Sequence, residues 1–360
     1  MAELAPRGRV GLVLADRAGQ ADGIRDYTRR LLVALRSAAV DTDLLLWAQG
    51  APRASDRAGV CATDLDALVV QYNPFSFGRW GFAPRLPLFL AGLRRKRRRP
   101  RIAVMFHETY VDLRSPSWAM MGGWQRAQLI AMQAAADVQL CSIQRWSERL
   151  SRTACGRPVH HLPVASNLPD ARAERQAERE RLGAGAGTLV LSCLGLRHPG
   201  RLQEQVLGAA RAAGKTAGSV LLLDLGPGER CEAALARNVT LRRPGFLDEH
   251  DLARQFAASD IFLASLMDGV STRRGSVMAA LQHALPVVGT AGHLTDDVLK
   301  RASGLLLVGV DESDRLARMV TDLGRDAARR GELGHAAREL YECEFDWPVL
   351  VSRLRTYLDV

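Results

Sequence analysis

The chain has 360 residues, 47% of them hydrophobic, and a formal net charge of +10. That is long enough for two cores of ordinary domain size and too long for a small module held by disulfides or metal. The six cysteines (Cys61, Cys141, Cys155, Cys193, Cys231 and Cys343) are scattered, with no CxxC pair and no histidine at ligand spacing, which points away from a zinc site or a disulfide framework. No run of about 18 apolar residues could span a bilayer, and Met1 to Arg9 is too short and mixed for a signal peptide. The expected setting is the cytoplasm.

In chain order, "RVGLVLA" (9–15) is a short apolar run ending in a polar loop, and "GIRDYTRRLLVALRSA" (23–38) repeats apolar residues at helical spacing. The pattern recurs with "DLLLWA" (43–48), "ALVVQY" (67–72), "RIAVMFH" (101–107), "DVQLCS" (137–142) and "PVHHLPV" (158–164). Short apolar strands separated by helical stretches predict a parallel sheet covered on both faces. Residues 170–187 turn to Arg, Glu, Ala and Gly with no strand signal, and predict an inter-domain connection, part of it helical.

A second strand series follows: "TLVLSCLG" (188–195), "SVLLLDLG" (219–226), "NVTLR" (238–242), "DIFLAS" (260–265), "PVVGT" (286–290) and "GLLLVG" (304–309). The expected architecture is α/β, with two tandem Rossmann-like doubly wound domains facing a cleft. The first covers 1–169, the connection 170–187, the second 188–345, and a terminal helix in 346–360 is expected to return to the first domain. In such sheets ligands bind outside the carboxyl ends of the strands.

The excess charge is local, because Arg94, Arg95, Lys96, Arg97, Arg98, Arg99 and Arg101 supply seven positive charges within eight residues. Trp80, Phe82, Leu86, Leu88, Phe89 and Leu90 precede them, and apolar anchors followed by cations suit peripheral contact with an anionic membrane. The competing reading is a crossover helix with a solvated basic end. No binding motif or series of stacking aromatics accompanies the charge, so nucleic acid is not an expected partner.

The stretch "DGVSTRRGSVMAALQHALPVV" (268–288) sets two arginines, a glycine and a serine directly before an apolar helix. Unpaired amides and the positive dipole end favour an anion there, Gly275 lets a ligand approach the backbone, and Ser276 adds a hydroxyl donor. Arg273 and Arg274 are consecutive, so one of them at most addresses a given ligand group easily. In the first domain His107 and Glu108 follow a strand at its carboxyl end, where an imidazole can bind or deprotonate a hydroxyl. Tyr72, closing the preceding apolar run, joins them as an acceptor-side candidate. Gly23 opens the first helix where backbone can approach a ligand, and Asp22 before it is a natural cap.

The block "GFLDEHDLARQFAASDIFLAS" (245–265) followed by "DGVSTRRGSVMAALQHALPVVGT" (268–290) resembles the donor-binding half of GT-B glycosyltransferases, particularly family 4 (glycosyl transferases group 1). The "GIRDYTRRLLVAL" helix, "FHETY" (106–110) and "LPVASNLP" (162–169) are similar to that family's first glycine loop, its acceptor-side histidine and its inter-domain junction. The resemblance implies transfer of a sugar, with retention, from a nucleotide-sugar donor to an acceptor hydroxyl of a glycan, lipid-linked or small molecule, in cell-surface glycan or glycosylated-metabolite biosynthesis. It also implies that "GLRHPGR" (195–201) carries donor-phosphate residues: Arg201 stands at the family's lysine position, and Arg197 is one residue displaced from its arginine. His107 and Arg201 are the candidate catalytic residues. Gly23, Arg197, Arg201, Ser271, Arg273, Arg274, Gly275 and Ser276 are the candidates on the donor side.

One departure is evident. Many family members carry two glutamates eight positions apart in this block, and here those positions hold Ser271 and Ala279. The missing carboxylates keep a second reading open, a GT-B-like binding or partner subunit without catalysis. No DxD-like carboxylate pair stands near a sheet end, and the arginines can neutralise a diphosphate, so no metal and no cofactor beyond the nucleotide-sugar co-substrate is expected.

Overall fold

The structure, a computed structural model, describes residues 8–16, 23–48, 51–52, 65–110, 116–154, 156–196, 198 and 200–360. It divides into two compact units. Unit 1 comprises residues 1–163 and 347–360, and unit 2 comprises residues 164–346.

Unit 1 is built from β1 (Arg9–Ala15), α1 (Gly23–Ser37), β2 (Asp41–Ala48), β3 (Ala51–Pro52), β4 (Ala67–Tyr72), α2 (Pro74–Phe77), α3 (Arg85–Arg94), β5 (Arg101–Phe106), α4 (Pro116–Ala135), β6 (Val138–Cys141), α5 (Gln144–Ser151) and β7 (Val159–His161), with a terminal helix, Trp347–Leu358. The sheet order is β3-β2-β1-β4-β5-β6-β7, parallel except for the β2–β3 pair. Every residue of β4 is buried, as expected of a strand covered on both faces. Each such Leu or Val contributes about 1.5–3 kcal/mol relative to exposure. Tyr27 of α1 meets Trp347 of the terminal helix at a centroid distance of 5.3 Å, and His160 stacks on Tyr357 at 4.0 Å. Both contacts seat the terminal helix in unit 1.

Unit 2 continues with α6 (Arg175–Arg181), β8 (Thr188–Leu194), α7 (Gln203–Gly214), β9 (Ser219–Leu225), β10 (Cys231–Ala236), β11 (Val239–Arg243), α8 (Glu249–Ala258), β12 (Ile261–Ala264), α9 (Gly275–Gln282), β13 (Val287–Ala291), α10 (Asp297–Lys300), β14 (Leu305–Gly309), α11 (Ser313–Arg325) and α12 (Ala327–Glu344). Its sheet order is β10-β11-β9-β8-β12-β13-β14. Leu191, Leu222, Ile261, Val288 and Leu316 lie at its core. Strand β10 pairs antiparallel with β11, so the β9-to-β11 connection is a hairpin arm where the alternation predicts a helix.

Residues 170–187, read from composition as a connection, are built into unit 2. Arg175 bonds Asp260, while Arg179 reaches Asp260 at 3.1 Å and the Ala258 and Thr188 carbonyls at 3.0 and 2.7 Å. Arginines that look solvated in sequence here satisfy a helix end and a strand start, which is why composition alone suggests a linker. The change of unit falls at 163/164.

Candidate donor and acceptor sites

The strand order in unit 2 reverses between β8 and β12, the place where doubly wound sheets bind ligands. Loops from four strands meet there. Arg201 forms an isolated antiparallel bridge with Leu266, and Met267 N donates to Gly200 O at 2.8 Å. Gly269 lies at φ +81°, and a Cβ on it would stand 2.2 Å from Gly292 N, so only glycine lets the β12 and β13 loops touch.

At the start of α9, Asp296 accepts from Thr272 N at 2.7 Å and from Thr272 Oγ1 at 2.9 Å. This pins the turn that presents the helix end. Ser271 is 1% exposed and its Oγ has no hydrogen-bond partner, although a buried hydroxyl without one is costly. Arg274 is the N-cap residue, with no side-chain cap bond and no acidic residue in the first turn. Cations beside the positive end of a helix dipole are unfavourable by about 0.3–1 kcal/mol each, and anions there are favourable by as much. Arg273 lies 3.6 Å from Asp268, its side chain 13% exposed. Ser276 is half-buried in the first turn. A Cβ on Gly275 would meet only Asn167 Nδ2, at 4.0 Å. The turn therefore brings together Ser271, Arg273, Arg274, Gly275 and Ser276. Ala279 is buried one turn further along α9.

Arg201 sits differently. Its side chain is 8% exposed and bonds Asp224 at the carboxyl end of β9, while Nη1 donates to Gly195 O at 3.1 Å and Nη2 to Cys193 Sγ at 2.8 Å. Arg243 Nε donates to the other Asp224 oxygen at 2.8 Å. Burial pushes the Asp224 carboxyl up, but the hydrogen bonds and charges of Arg243 and Arg201 outweigh it and hold the group below the usual carboxylate range. The Cys193 thiol is pushed up to about 12, mainly by burial. The space left among these groups is about 10 Å³, room for about one water. In this arrangement Arg201 is neutralised internally. Arg197 lies outside the described residues. Among the described residues no group of three or more His, Cys, Asp or Glu is placed to hold a metal ion.

In unit 1 the order reverses between β1 and β4. His107, just past β5, is 7% exposed, and its Nε2 lies 2.7 Å from Gln71 Oε1 on β4. Burial lowers its pKa to about 4, so the imidazole is neutral at pH 7. With the amide oxygen facing it, Nε2 carries the proton and Nδ1 the lone pair. Tyr27 packs edge-on against the ring at 5.4 Å. Gln71 is 1% exposed and its Nε2 has no hydrogen-bond partner, which gives this edge a donor not singled out in sequence. A polar residue inside a strand buried on both faces was the available signal.

Tyr72 is wholly buried, accepts from Gln128 Nε2 at 2.7 Å and stacks on Phe77. Burial, countered in part by that hydrogen bond, raises its pKa to about 12. It packs the unit beneath the edge. Glu108 is half-buried beside His107. Gly23 is exposed at the start of α1, and a Cβ added there would meet nothing within 4 Å, while Asp22 lies outside the described residues. A cavity of about 790 Å³, lined by Asp16, Trp47, Ser76, Arg79 and Arg85 among others, opens past the ends of β1 and β4.

No family model matches the chain. A curated relative, the GDP-mannose-dependent monoacylated alpha-(1-6)-phosphatidylinositol monomannoside mannosyltransferase of Corynebacterium glutamicum, is 28% identical over 262 residues. The match spans 67% of this chain and 66% of that relative's length. Among solved structures, sucrose-phosphate synthase from Thermosynechococcus elongatus superposes with a TM-score of 0.71 at 17% identity, covering 97% of this chain and 98% of the other. Anabaena HepE, solved in complex with UDP and glucose, gives a TM-score of 0.67 at 12% identity, covering 98% and 100%. The chain has the GT-B fold and is similar, in sequence and in architecture, to glycosyltransferases of the family 4, group 1 type.

Proposed function

We propose that the protein is a retaining, metal-independent glycosyltransferase that moves a sugar from a nucleotide donor to an acceptor hydroxyl. The observation that carries this reading is the start of α9, where a buried hydroxyl without a partner and two arginines surround a helix end that holds no acid. A donor diphosphate would give the Ser271 hydroxyl an acceptor and the helix end an anion, with the two arginines beside it. The helix amides and Ser271 or Ser276 donate to its oxygens, and an arginine meets the charge that grows as the sugar–phosphate bond breaks. In unit 1, neutral His107 offers Nδ1 to an acceptor hydroxyl beside the one that reacts, and Gln71 Nε2 can hold an acceptor oxygen.

The position at which the family resemblance places a sugar-side carboxylate holds Ser271, so the reading favours direct transfer, with the leaving phosphate oxygen taking the acceptor proton. The substrates in the relative's name make GDP-mannose and a lipid-linked mannoside the first compounds to test, with UDP-glucose beside them. The protein would work on the cytoplasmic side of a membrane. No helix among the described residues is long and apolar enough to cross one.

The second reading, a binding subunit without catalysis, is favoured by the absent carboxylates and by Asp224 already occupying Arg201. A thermal-shift panel of nucleoside diphosphates and nucleotide sugars, followed by transfer assays with labelled donor and added chelator, separates the two. Stabilisation by one nucleotide with chelator-resistant turnover supports the transferase. Nucleotide binding with neither transfer nor hydrolysis supports the binding subunit, and strict dependence on added metal overturns the metal-independent mechanism.

A further inference from the structure

Helices α3 and α4 are the crossovers from β4 to β5 and from β5 to β6, so right-handed connection puts them side by side on one face of the unit 1 sheet. Their outer surface is unusual. Of the 20 residues of α4 one is charged, Arg126, and from Trp118 onward every exposed position of the helix is Trp, Met, Ile, Ala or Gly. Met120 and Ile130 are 62% and 63% exposed, and across the groove Leu88 and Phe82 are 69% and 58% exposed. A groove of about 790 Å³ runs between the helices, lined by Pro87, Leu88, Ala91, Trp124 and Ala131, with Arg94 and Arg95 at one end. Contiguous exposed apolar surface of this kind marks a partner or a membrane.

Charge selects between them. Residues 67–107 and 113–136 contain no Asp or Glu. Within the basic run, Arg94 and Arg99 are both bound to Asp137, and Arg101 to Asp359. Arg95, Lys96, Arg97 and Arg98 are exposed and make no ion pair among the described residues. The run is thus two populations: three cations that fasten the sheet edge, and four that project beside an apolar face with no acid on it. Leu86 and Leu90 belong to the core rather than to this face.

We propose that the α3–α4 face lies on an anionic bilayer, with one phospholipid acyl chain in the groove and Arg95 to Arg98 on lipid phosphates. The inference rests on unit 1 alone, and stands apart from the transferase reading. Its test is flotation of the whole protein with phosphatidylcholine vesicles and with vesicles in which phosphatidylglycerol makes up about a third of the lipid, enough to set a negative surface potential.

Wild type is expected to float with the anionic vesicles and to be released by salt. Replacing all four cations together (R95S, K96S, R97S and R98S) should weaken binding roughly a thousandfold, since each cation near such a surface is worth about 1 kcal/mol and every 1.4 kcal/mol is tenfold. Leu88→Glu with Ile130→Glu should abolish flotation even at low salt, where every cation is intact. All these side chains are exposed, so unfolding temperature and any nucleotide-induced shift should stay at wild-type values. That control separates failure of this inference from failure of the donor-site reading. Absence of flotation at low salt, equal flotation with neutral vesicles, or an unaltered glutamate double variant overturns the proposal. So does a wild-type dimer that the same double variant makes monomeric without changing flotation.

Discussion

The carboxyl edges of the two sheets are chemical opposites. In unit 1 the edge offers a neutral imidazole and a primary amide, both buried, with His107 unable to hold a proton charge near pH 7. In unit 2 the edge offers Arg201 and Arg243 on Asp224, and Arg273 and Arg274 at a helix start. Neutral donors and acceptors suit a hydroxyl, which carries no charge until it reacts, whereas fixed cations suit a diphosphate. A second contrast lies within unit 2. The charge of Arg201 is met by Asp224, while the α9 start lacks a side-chain cap, so the two arginine groups should answer mutation through different observables.

The largest effect should come from Asp224→Ala, which leaves Arg201 and Arg243 facing each other, half or more buried, without their carboxylate. Breaking a buried pair from one side costs about 3–5 kcal/mol, and chemical denaturation should read most of that loss. The same carboxylate makes unit 2 acid-sensitive. Its depressed pKa means its contribution is present above the unfolded value near 3.9 and is lost as pH falls through the still lower folded value. Arg201→Ala should lower stability and turnover together. Arg274→Ala should cost less stability than Arg201→Ala and lower turnover roughly ten- to a hundredfold, the worth of one charge-assisted contact. If Arg201→Ala alone reduces turnover and Arg274→Ala does nothing, the diphosphate belongs on the Arg201 side and must displace Asp224.

The contrast also shows what a sequence can carry. Parallel strands such as "ALVVQY" and "TLVLSCLG" were legible because burial on both faces makes them continuous apolar runs. The α9 start was legible because its chemistry is local, six residues in a row. The Arg201–Asp224 pair was not, since 23 residues separate the partners and Asp224 reads as one polar letter within an apolar strand. Helix α4, expected only as a helical stretch between two strands, has no face legible in sequence, for the opposite reason. A helix apolar on its buried and exposed faces alike has almost no period to detect. Ser271 and Ala279 at the two glutamate positions show in sequence what is absent, but only the folded structure shows Ser271 buried with its hydroxyl unused.

The neutrality of the unit 1 edge is open to titration. His107 has a folded pKa lowered to about 4, against about 6.5 unfolded. Between those values the unfolded chain takes up a proton that the folded chain refuses. Stability is therefore fully present above about pH 6.5 and falls as pH drops toward 4, by at most roughly 3 kcal/mol. His107→Gln should flatten the slope of stability between pH 6.5 and 5 while lowering acceptor turnover more than donor affinity. An unchanged slope would mean that the imidazole charges in the folded protein, and the opposition between the edges would fail on its neutral side.

The smallest change is the most discriminating, because its two readouts should move in opposite directions. Gly275 opens α9, and a Cβ there meets only Asn167 Nδ2 at 4.0 Å, an ordinary contact distance. Its φ lies outside the left-handed region, so alanine adds no backbone strain. Gly275→Ala should then leave the fold as stable as before or up to about 1 kcal/mol more stable, by the helix propensity difference between the two residues. The same methyl group would stand where a diphosphate must approach the first helix amides, and a displacement that weakens one charge-assisted contact by about 1.4 kcal/mol is a tenfold loss of affinity. The expected variant therefore melts no lower than wild type and binds nucleotide about tenfold more weakly. Equal nucleotide affinity in a protein of equal or greater stability would show that nothing approaches Gly275. The anion would then have to be sought at the Arg201 side of the loop cluster, where Asp224 now stands.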